Sequence, residues 1–277
     1  GVPQIELIKQ LKSRGITTVL ADGSQNAVAK PYADIFYHVD IFCISAIREI
    51  AEKERVDFII TVCADQVLLV VAEVSEMLGL PCYIDFRTAQ DVSDKIRMKR
   101  IFKEIAVPTT DYVEMDGLDL NAIAQLRYPL VVKPVDAYSS KGVRKAENAD
   151  ELKQYYEEAR QISRSGRVII EEFFQGEEIS VDAFVEKGKA KILTITNSEK
   201  IGSCDRFVIF RGRYPVAASE VVMKRIEEVA QKIADGFGLW NAPLLIQLLN
   251  NGDDISVLEF CARTGGNMKW LLIKESC

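Results

Sequence analysis

Glu259, Cys261 and Arg263 alternate along the run LEFCARTGG, residues 258–266, and a Gly-Gly turn follows them. In an extended strand alternate side chains share a face, so these three are expected on one side and Leu258 and Phe260 on the other. Gln247 stands twelve positions before Glu259, and Lys133 lies far upstream in the strand-like VVKP. A carboxylate and a guanidinium on one strand surface, facing a distant lysine, suit a site that holds a phosphate chain and its metal ion. Magnesium takes hard oxygen ligands, which makes Glu259 the expected ligand and Gln247 a neutral oxygen donor. The two lie on the arms of a predicted hairpin and share a site if its loop is odd in length. Arg263 alone would read as a surface arginine; beside Glu259 and Gly265-Gly266 it reads as the partner of a phosphoryl group or a substrate carboxylate.

Lys133 sits between Val131 and Val135 on one face of an apolar strand. A lysine there needs an anion, because an unpaired buried charge is costly; a structural salt bridge would satisfy it equally well. The loop that follows, DAYSSKGV, shifts the balance. Ser139, Ser140, Lys141 and Gly142 offer small side chains and backbone donors able to close over phosphates. In RVIIEEFFQGEE, Glu171 and Glu172 point to opposite faces, so one of them faces a ligand, and Glu178 follows beyond a turn at Gly176. A purine needs acceptors for its amino group and ribose hydroxyls and backbone groups for its ring nitrogens, which this segment offers. The plain alternative is a solvated acidic edge.

The elements that would position these residues alternate in type. Residues 1 to about 93 read as a βαβ-type parallel arrangement: a helix on Ile5, Ile8 and Leu11 ending at Gly15, the strand TTVLAD, a helix from about Ser45 to Glu54, the strand FIITVC, and a helix closing at Gly79. The chain opens on a glycine directly before a helix, as a Rossmann-like half lacking its first strand would. From Ser93, the expected N-cap, a helix with Met98, Ile101, Phe102 and Ile105 on one face runs to Val107-Pro108. A strand near Tyr112, a short helix, the strand PLVVKPV and a helix over about 149–162 follow. The strands RVIIEEF, ISVDAFV and KAKILTITN come next, then a helix over 219–236 and the hairpin PLLIQLL–NNGD–ISVLEF.

With 277 residues, 48% hydrophobic and 27% charged, the chain can bury a substantial core in more than one lobe. A net charge of -6 with dispersed basic residues argues against a nucleic-acid or anionic-membrane surface. No apolar run approaches the roughly 20 residues that span a bilayer, and no signal peptide is visible, so a cytoplasmic protein is expected. The six cysteines form no C-x-x-C pair and no zinc spacing. His38 is the only histidine and reads as a surface or strand-edge residue rather than a catalytic base. A G-x-G-x-x-G dinucleotide fingerprint has no place to sit, which leaves a nicotinamide oxidoreductase as the weakest reading. Arg206, Arg211 and Arg213 read as solvated basic residues.

Taken in order, these segments resemble the ATP-grasp superfamily, in its carboxylate–amine ligase and carbamoyl-phosphate-synthetase-like branch, over essentially the whole chain. The resemblance implies an α/β fold, α+β in its C-terminal part. A Rossmann-like pre-ATP-grasp domain, residues 1–93, would precede an ATP-grasp domain, residues 94–277. The latter would have a small lobe of about 108–170 and a large lobe of about 171–277, with further substrate-site structure beyond Cys277. It implies Lys95 and Lys133 near the phosphates, Ser140, Lys141, Gly142 and Val143 as the covering loop, and Glu171 and Phe174 at the adenine. Glu178 would take the ribose, Gln247 and Glu259 the metal, and Arg263 would steady the phosphoryl or acyl phosphate. Two positions depart from the family pattern: Gln247 stands where glutamate is usual, and Cys261 where E-x-N-x-R has asparagine. A thiol is a poor magnesium ligand, so occupancy of a second metal site is the point at issue. ATP and Mg2+, with Mn2+ as a substitute, are the expected cofactors. The partners implied are small carboxylate and amine substrates, without nucleic acid or membrane, and with room for a homodimer. The expected activity is ATP-dependent ligation of a carboxylate to an amine through an acyl phosphate. Two alternatives stay open: a carbamoyl-phosphate-synthetase-type domain acting on bicarbonate or carbamate, and a non-catalytic ATP-binding module.

Overall fold

The computed structural model describes residues 1–137, 140–200, 207, 209–266 and 269–276. Ser139 and Arg206, both singled out above, lie outside the described residues. The chain divides into two compact units, residues 1–90 with 262–277, and residues 91–261.

In the first unit α1 (Val2–Ser13) leads to β1 (Val19–Asp22), which pairs in parallel with β2 (Ile35–His38). Helices α2 (Ile44–Glu54) and α3 (Asp65–Leu78) follow. Leu68, Val70, Val71, Ala72 and Val74 of α3 are buried, and Gly79 ends the helix at a φ of 64°, the left-handed geometry glycine adopts without strain. His38 is exposed at the end of β2. The expected strand over residues 58–63 does not form. An apolar run becomes a strand only by pairing, and this one pairs with neither β1 nor β2; Phe58 and Ile60 are exposed. Helix α4 (Phe86–Ser93) spans the boundary between the units.

The second unit begins with α5 (Lys95–Glu104), capped by Asp94 rather than Ser93, which closes α4. The Asp94 carboxylate accepts from the backbone N–H groups of Ile96 and Arg97 at 2.9 and 3.0 Å, satisfying donors the helix cannot. Then come β3 (Tyr112–Met115), β4 (Leu130–Pro134), β5 (Arg144–Ala146), α6 (Ala149–Ile162) and β6 (Val168–Glu172). The expected short helix after β3 is instead a series of turns over 119–126. Asp119 accepts from the Asn121 N–H at 2.9 Å, a local bond that competes with helix. The strands form an antiparallel sheet ordered β3-β6-β4-β5. On one face Leu130, Val132, Val168 and Ile170 pack with Leu152, Tyr156 and Ala159 of α6. The other face carries Val131, Lys133, Ile169 and Glu171, and α5 packs there through Ile96.

The rest of the unit is β7 (Glu177–Glu186), β8 (Lys189–Lys200), β9 (Ile209–Arg213), α7 (Glu220–Gly236), β10 (Asn241–Asn251) and β11 (Asp254–Cys261). The five strands make an antiparallel sheet ordered β11-β10-β7-β8-β9. Strand β9 was not expected from sequence; its Arg211 and Arg213 each reach Glu199 of β8 at 2.5 Å. Helix α7 buries Val222, Ile226, Val229 and Ile233, and Ser219 caps it.

Phe102 of α5, Phe237 after α7 and Phe260 of β11 form an aromatic cluster, with ring centroids 4.5 to 6.1 Å apart. This cluster holds α5 against β11. Phe260→Ala is therefore expected to cost about 3–5 kcal/mol, the usual range for emptying a large aromatic site. A urea unfolding midpoint would show it, and a loss under about 1 kcal/mol would contradict the anchoring role.

Candidate functional site

A cleft of about 840 Å³, open mouth included, lies within the second unit. Lys95, Lys133, Ser140, Lys141, Val143, Glu171, Phe174, Glu178, Gln247 and Glu259 all line it. Ten of the candidate residues thus share one cavity, and Gly142 lies in the same loop as Ser140, Lys141 and Val143. The glycine's φ is +73°, and a Cβ there would lie 2.9 Å from Ile162 and Pro134, so only glycine fits this bend of the loop.

Each side of the cleft has a structural reason. Lys133 faces the cleft because β4 alternates, sending Val132 into the α6 core. Its ammonium contacts Oε1 of Glu171, and Lys99 binds Oε2 at 2.6 Å. All three side chains are more than 90% buried. Lys99 also donates to the hydroxyls of Thr109 and Thr110 at 2.7 and 3.2 Å. Burial opposes ionisation of Glu171, but Lys133 and Lys99 outweigh it and hold the carboxyl at about 2. Burial pulls the Lys99 ammonium below its usual value, with Glu171 acting against that. The cluster is one carboxylate between two ammonium groups.

The sign of the pH effect follows. A carboxyl lowered from 4.5 to about 2 on folding contributes stability that is complete above about pH 4.5 and is lost as pH falls through 2. Glu171→Gln is expected to flatten the dependence of the urea midpoint on pH between these values. Parallel curves for the variant and the wild type would contradict this.

Opposite this sheet, Gln247 and Glu259 are direct partners across β10 and β11. They meet because of a β-bulge between Gln247 and Leu248; the register of the outer hairpin, Leu248 with Val257, would otherwise set Gln247 against Leu258. The bulge also brings Leu258 into the cleft lining, contrary to simple alternation, while Phe260 stays buried in the aromatic cluster and Cys261 is buried. Gln247 donates its Nε2 to Glu178 at 3.1 Å, which leaves its Oε1 as the available donor atom. Two hard oxygens on paired positions, one charged and one neutral, fit a magnesium ion whose other ligands come from phosphate and water. Lys95 lies 3.4 Å from the Glu259 carboxylate and donates to the Ala137 carbonyl at 2.8 Å.

Glu178 is buried and also pairs with Lys200 at 2.9 Å. Phe173, Phe174, Phe207 and Leu249 give this end of the cleft an apolar lining. Ser140 donates to the Phe207 carbonyl at 2.9 Å, which ties the 140–143 loop to that aromatic. Glu172, on the opposite face of β6 from Glu171, takes both Arg127 Nε and Nη2, at 3.2 and 3.1 Å.

Arg263 belongs to the first unit. Its Nε and Nη2 bind the two oxygens of Asp65 at 2.5 and 2.8 Å, a two-point pair at the start of α3. Lys99, Lys200 and Phe207 escaped the sequence reading. Lys99 carried a usable signal, since it follows Lys95 by one helical turn and falls among the buried residues of α5, where a lysine must be paired. Lys200, the last residue of β8, and Phe207 carried no comparable signal.

A cleft between two antiparallel sheets, lined by lysines on one side and paired oxygen donors on the other, suits a phosphate-bearing ligand in a mixed α/β protein. Residues 126–270, more than half of the chain, match the model of the ATP-grasp domain, and the chain belongs to the ATP-grasp family. It is 25% identical over 266 residues to the formate-dependent phosphoribosylglycinamide formyltransferase of Actinobacillus pleuropneumoniae, covering 93% of this chain and 66% of that protein. The chain thus spans just under two thirds of that relative's length. The L-amino acid ligase from Bacillus licheniformis superposes with a TM-score of 0.79 at 21% identity, over 94% of this chain and 64% of the other. The N5-carboxyaminoimidazole synthetase from Staphylococcus aureus, complexed with ADP, gives 0.80 at 15% identity, over 97% and 70%. These likenesses show a shared fold, a mixed α/β architecture. No helix among the described residues is long and apolar enough to cross a membrane.

Proposed function

We propose that this protein is an ATP-dependent ligase, working in the cytoplasm, that activates a small carboxylate as an acyl phosphate and passes the acyl group to an amine. The observation that carries this reading is the convergence of Lys95, Lys133 and Lys141 with the oxygen donors Gln247 and Glu259 on one cleft with an aromatic end. The relatives with the same fold support it: one is a formate-dependent formyltransferase, one a ligase of amino acids, and one holds ADP.

In this reading the purine lies against Phe174, Phe207 and Leu249. Phe174 and Glu171 meet it through their main chain, since the Glu171 carboxylate is shared by two ammonium groups. Glu178 accepts from the ribose hydroxyls. Lys95 and Lys133 neutralise the phosphates, and the Ser140–Val143 loop covers them and excludes water from the acyl phosphate. Gln247 and Glu259 would hold a magnesium ion, which supplies further neutralisation of phosphate charge. Arg263, by its place in the R-x-G-G segment, is assigned to the transferring phosphoryl group or the acyl phosphate.

The carboxylate oxygen attacks the γ-phosphorus and the bond to the ADP oxygen breaks. The amine nitrogen then attacks the acyl carbon, phosphate leaves, and the amine gives up a proton. No protein nucleophile is required, in keeping with a chain that has one histidine, exposed on β2. Catalysis rests on positioning and charge neutralisation. The test is ADP formation measured over pairs of carboxylates and amines, with formate, amino acids and bicarbonate among them. ADP released only when both partners are present supports the ligase, and bicarbonate stimulation alone would favour carbamoyl-phosphate-type chemistry. ATP binding with no turnover on any pair would leave a binding module and overturn the ligase.

A further inference from the structure

Lys99 does not itself line the cleft and is shut off from solvent, one of the largest fully buried side chains among the described residues. A lysine placed there needs a reason, because desolvating an ammonium is costly unless it is paired. The pairing is unusual in its stoichiometry. A single carboxylate, Glu171, already has a partner in Lys133, and Lys99 is a second.

The arithmetic of charge makes the difference. Lys133 with Glu171 alone would be a neutral, self-satisfied buried pair, and a phosphate would have to compete with the carboxylate for the ammonium. With Lys99 on Oε2 the carboxylate is already neutralised, the cluster carries a net charge of one, and the two ammonium groups repel each other. Lys99 cannot move, since Thr109 and Thr110 hold it as well and Thr109 is itself fixed to the Val257 carbonyl at 2.9 Å. Of the two lysines, Lys133 is the one that lines the cleft.

We propose that Lys99 is a positioning residue that weakens the hold of Glu171 on Lys133 and so presents the Lys133 ammonium to the anionic part of the ligand. The inference rests on the nucleotide reading of the cleft for the identity of that anion. It predicts a reversal that simple scaffolding does not. Lys99→Met locks Lys133 onto Glu171, whereas Lys99→Met combined with Glu171→Gln sets Lys133 free again.

The experiment compares wild type, Lys99→Met and the double variant in two ways. Calorimetric titration with ATP and with adenosine separates phosphate from base recognition. In nucleotide-free protein, mass spectrometry follows the rate at which trinitrobenzenesulfonate labels Lys133. The single variant is expected to bind ATP about tenfold more weakly, the scale of one charged hydrogen bond, with adenosine affinity unchanged. Its Lys133 is expected to label more slowly. The double variant is expected to recover both ATP affinity and labelling rate. Parallel loss of ATP and adenosine binding, or a double variant no better than the single, overturns the proposal. Should wild type bind no ATP, the nucleotide reading falls and the labelling rates decide alone: slowing and recovery uphold the role of Lys99, and equal rates in all three proteins reject it.

Discussion

Lys133→Met is expected to abolish detectable ADP formation while leaving the fold intact. Lys133 is the cleft-lining cation of β4, held to the lining by strand alternation. Removing a charge that stabilises a phosphoryl transition state costs roughly a hundred- to a thousand-fold in rate. Loss of one partner from a buried ion pair ordinarily destabilises by about 3–5 kcal/mol, because it strands the other charge. Here it does not strand it: Glu171 keeps Lys99 at 2.6 Å, so the variant should unfold close to the wild-type midpoint. The two readouts, turnover lost and stability kept, are measured on the same preparation. Turnover within tenfold of wild type would remove Lys133 from the site, and a collapse in stability would make it structural.

Glu259→Gln is the second large effect, and its direction differs between two conditions. With magnesium present, the loss of the one carboxylate on the Gln247–Glu259 pair should raise the metal concentration needed for half-maximal ADP formation by at least about tenfold, as expected when a hard anionic ligand becomes neutral. With metal removed by chelation, ATP should bind as well as to wild type or better. A negative charge has left the phosphate end of the cleft, and Lys95, 3.4 Å from that carboxylate, is released. Magnesium dependence that survives unchanged would refute the assignment of Glu259 as a metal ligand.

Much of this site was legible in the sequence because its residues sit on regular elements. Period-two alternation places Lys133 and Glu171 on one face of their sheet, and hairpin chemistry at Asn250–Asp253 pairs β10 with β11. What the sequence did not show were departures from regularity. The bulge that sets Gln247 opposite Glu259 shifts the register by one residue, and nothing in LEFCARTGG announces it. The Glu171 carboxylate, expected to face a base, is taken up by Lys99, which lies far from it in sequence on α5. The run 58–63 looked like a strand because apolar residues suit strands, yet pairing is a tertiary fact and this run has none. Similarly, the turns at 119–126 follow from one side-chain bond at Asp119 that propensity does not weigh.

ATP recognition by the cleft is tested most directly by calorimetric titration of the protein with ATP in magnesium, against adenosine and inorganic triphosphate as controls. Saturable heat with one ATP per chain, displaced by ADP and lost in Lys133→Met, is the predicted result. Absence of heat with ATP at concentrations well into the millimolar range, or binding indifferent to Lys133, would contradict the account.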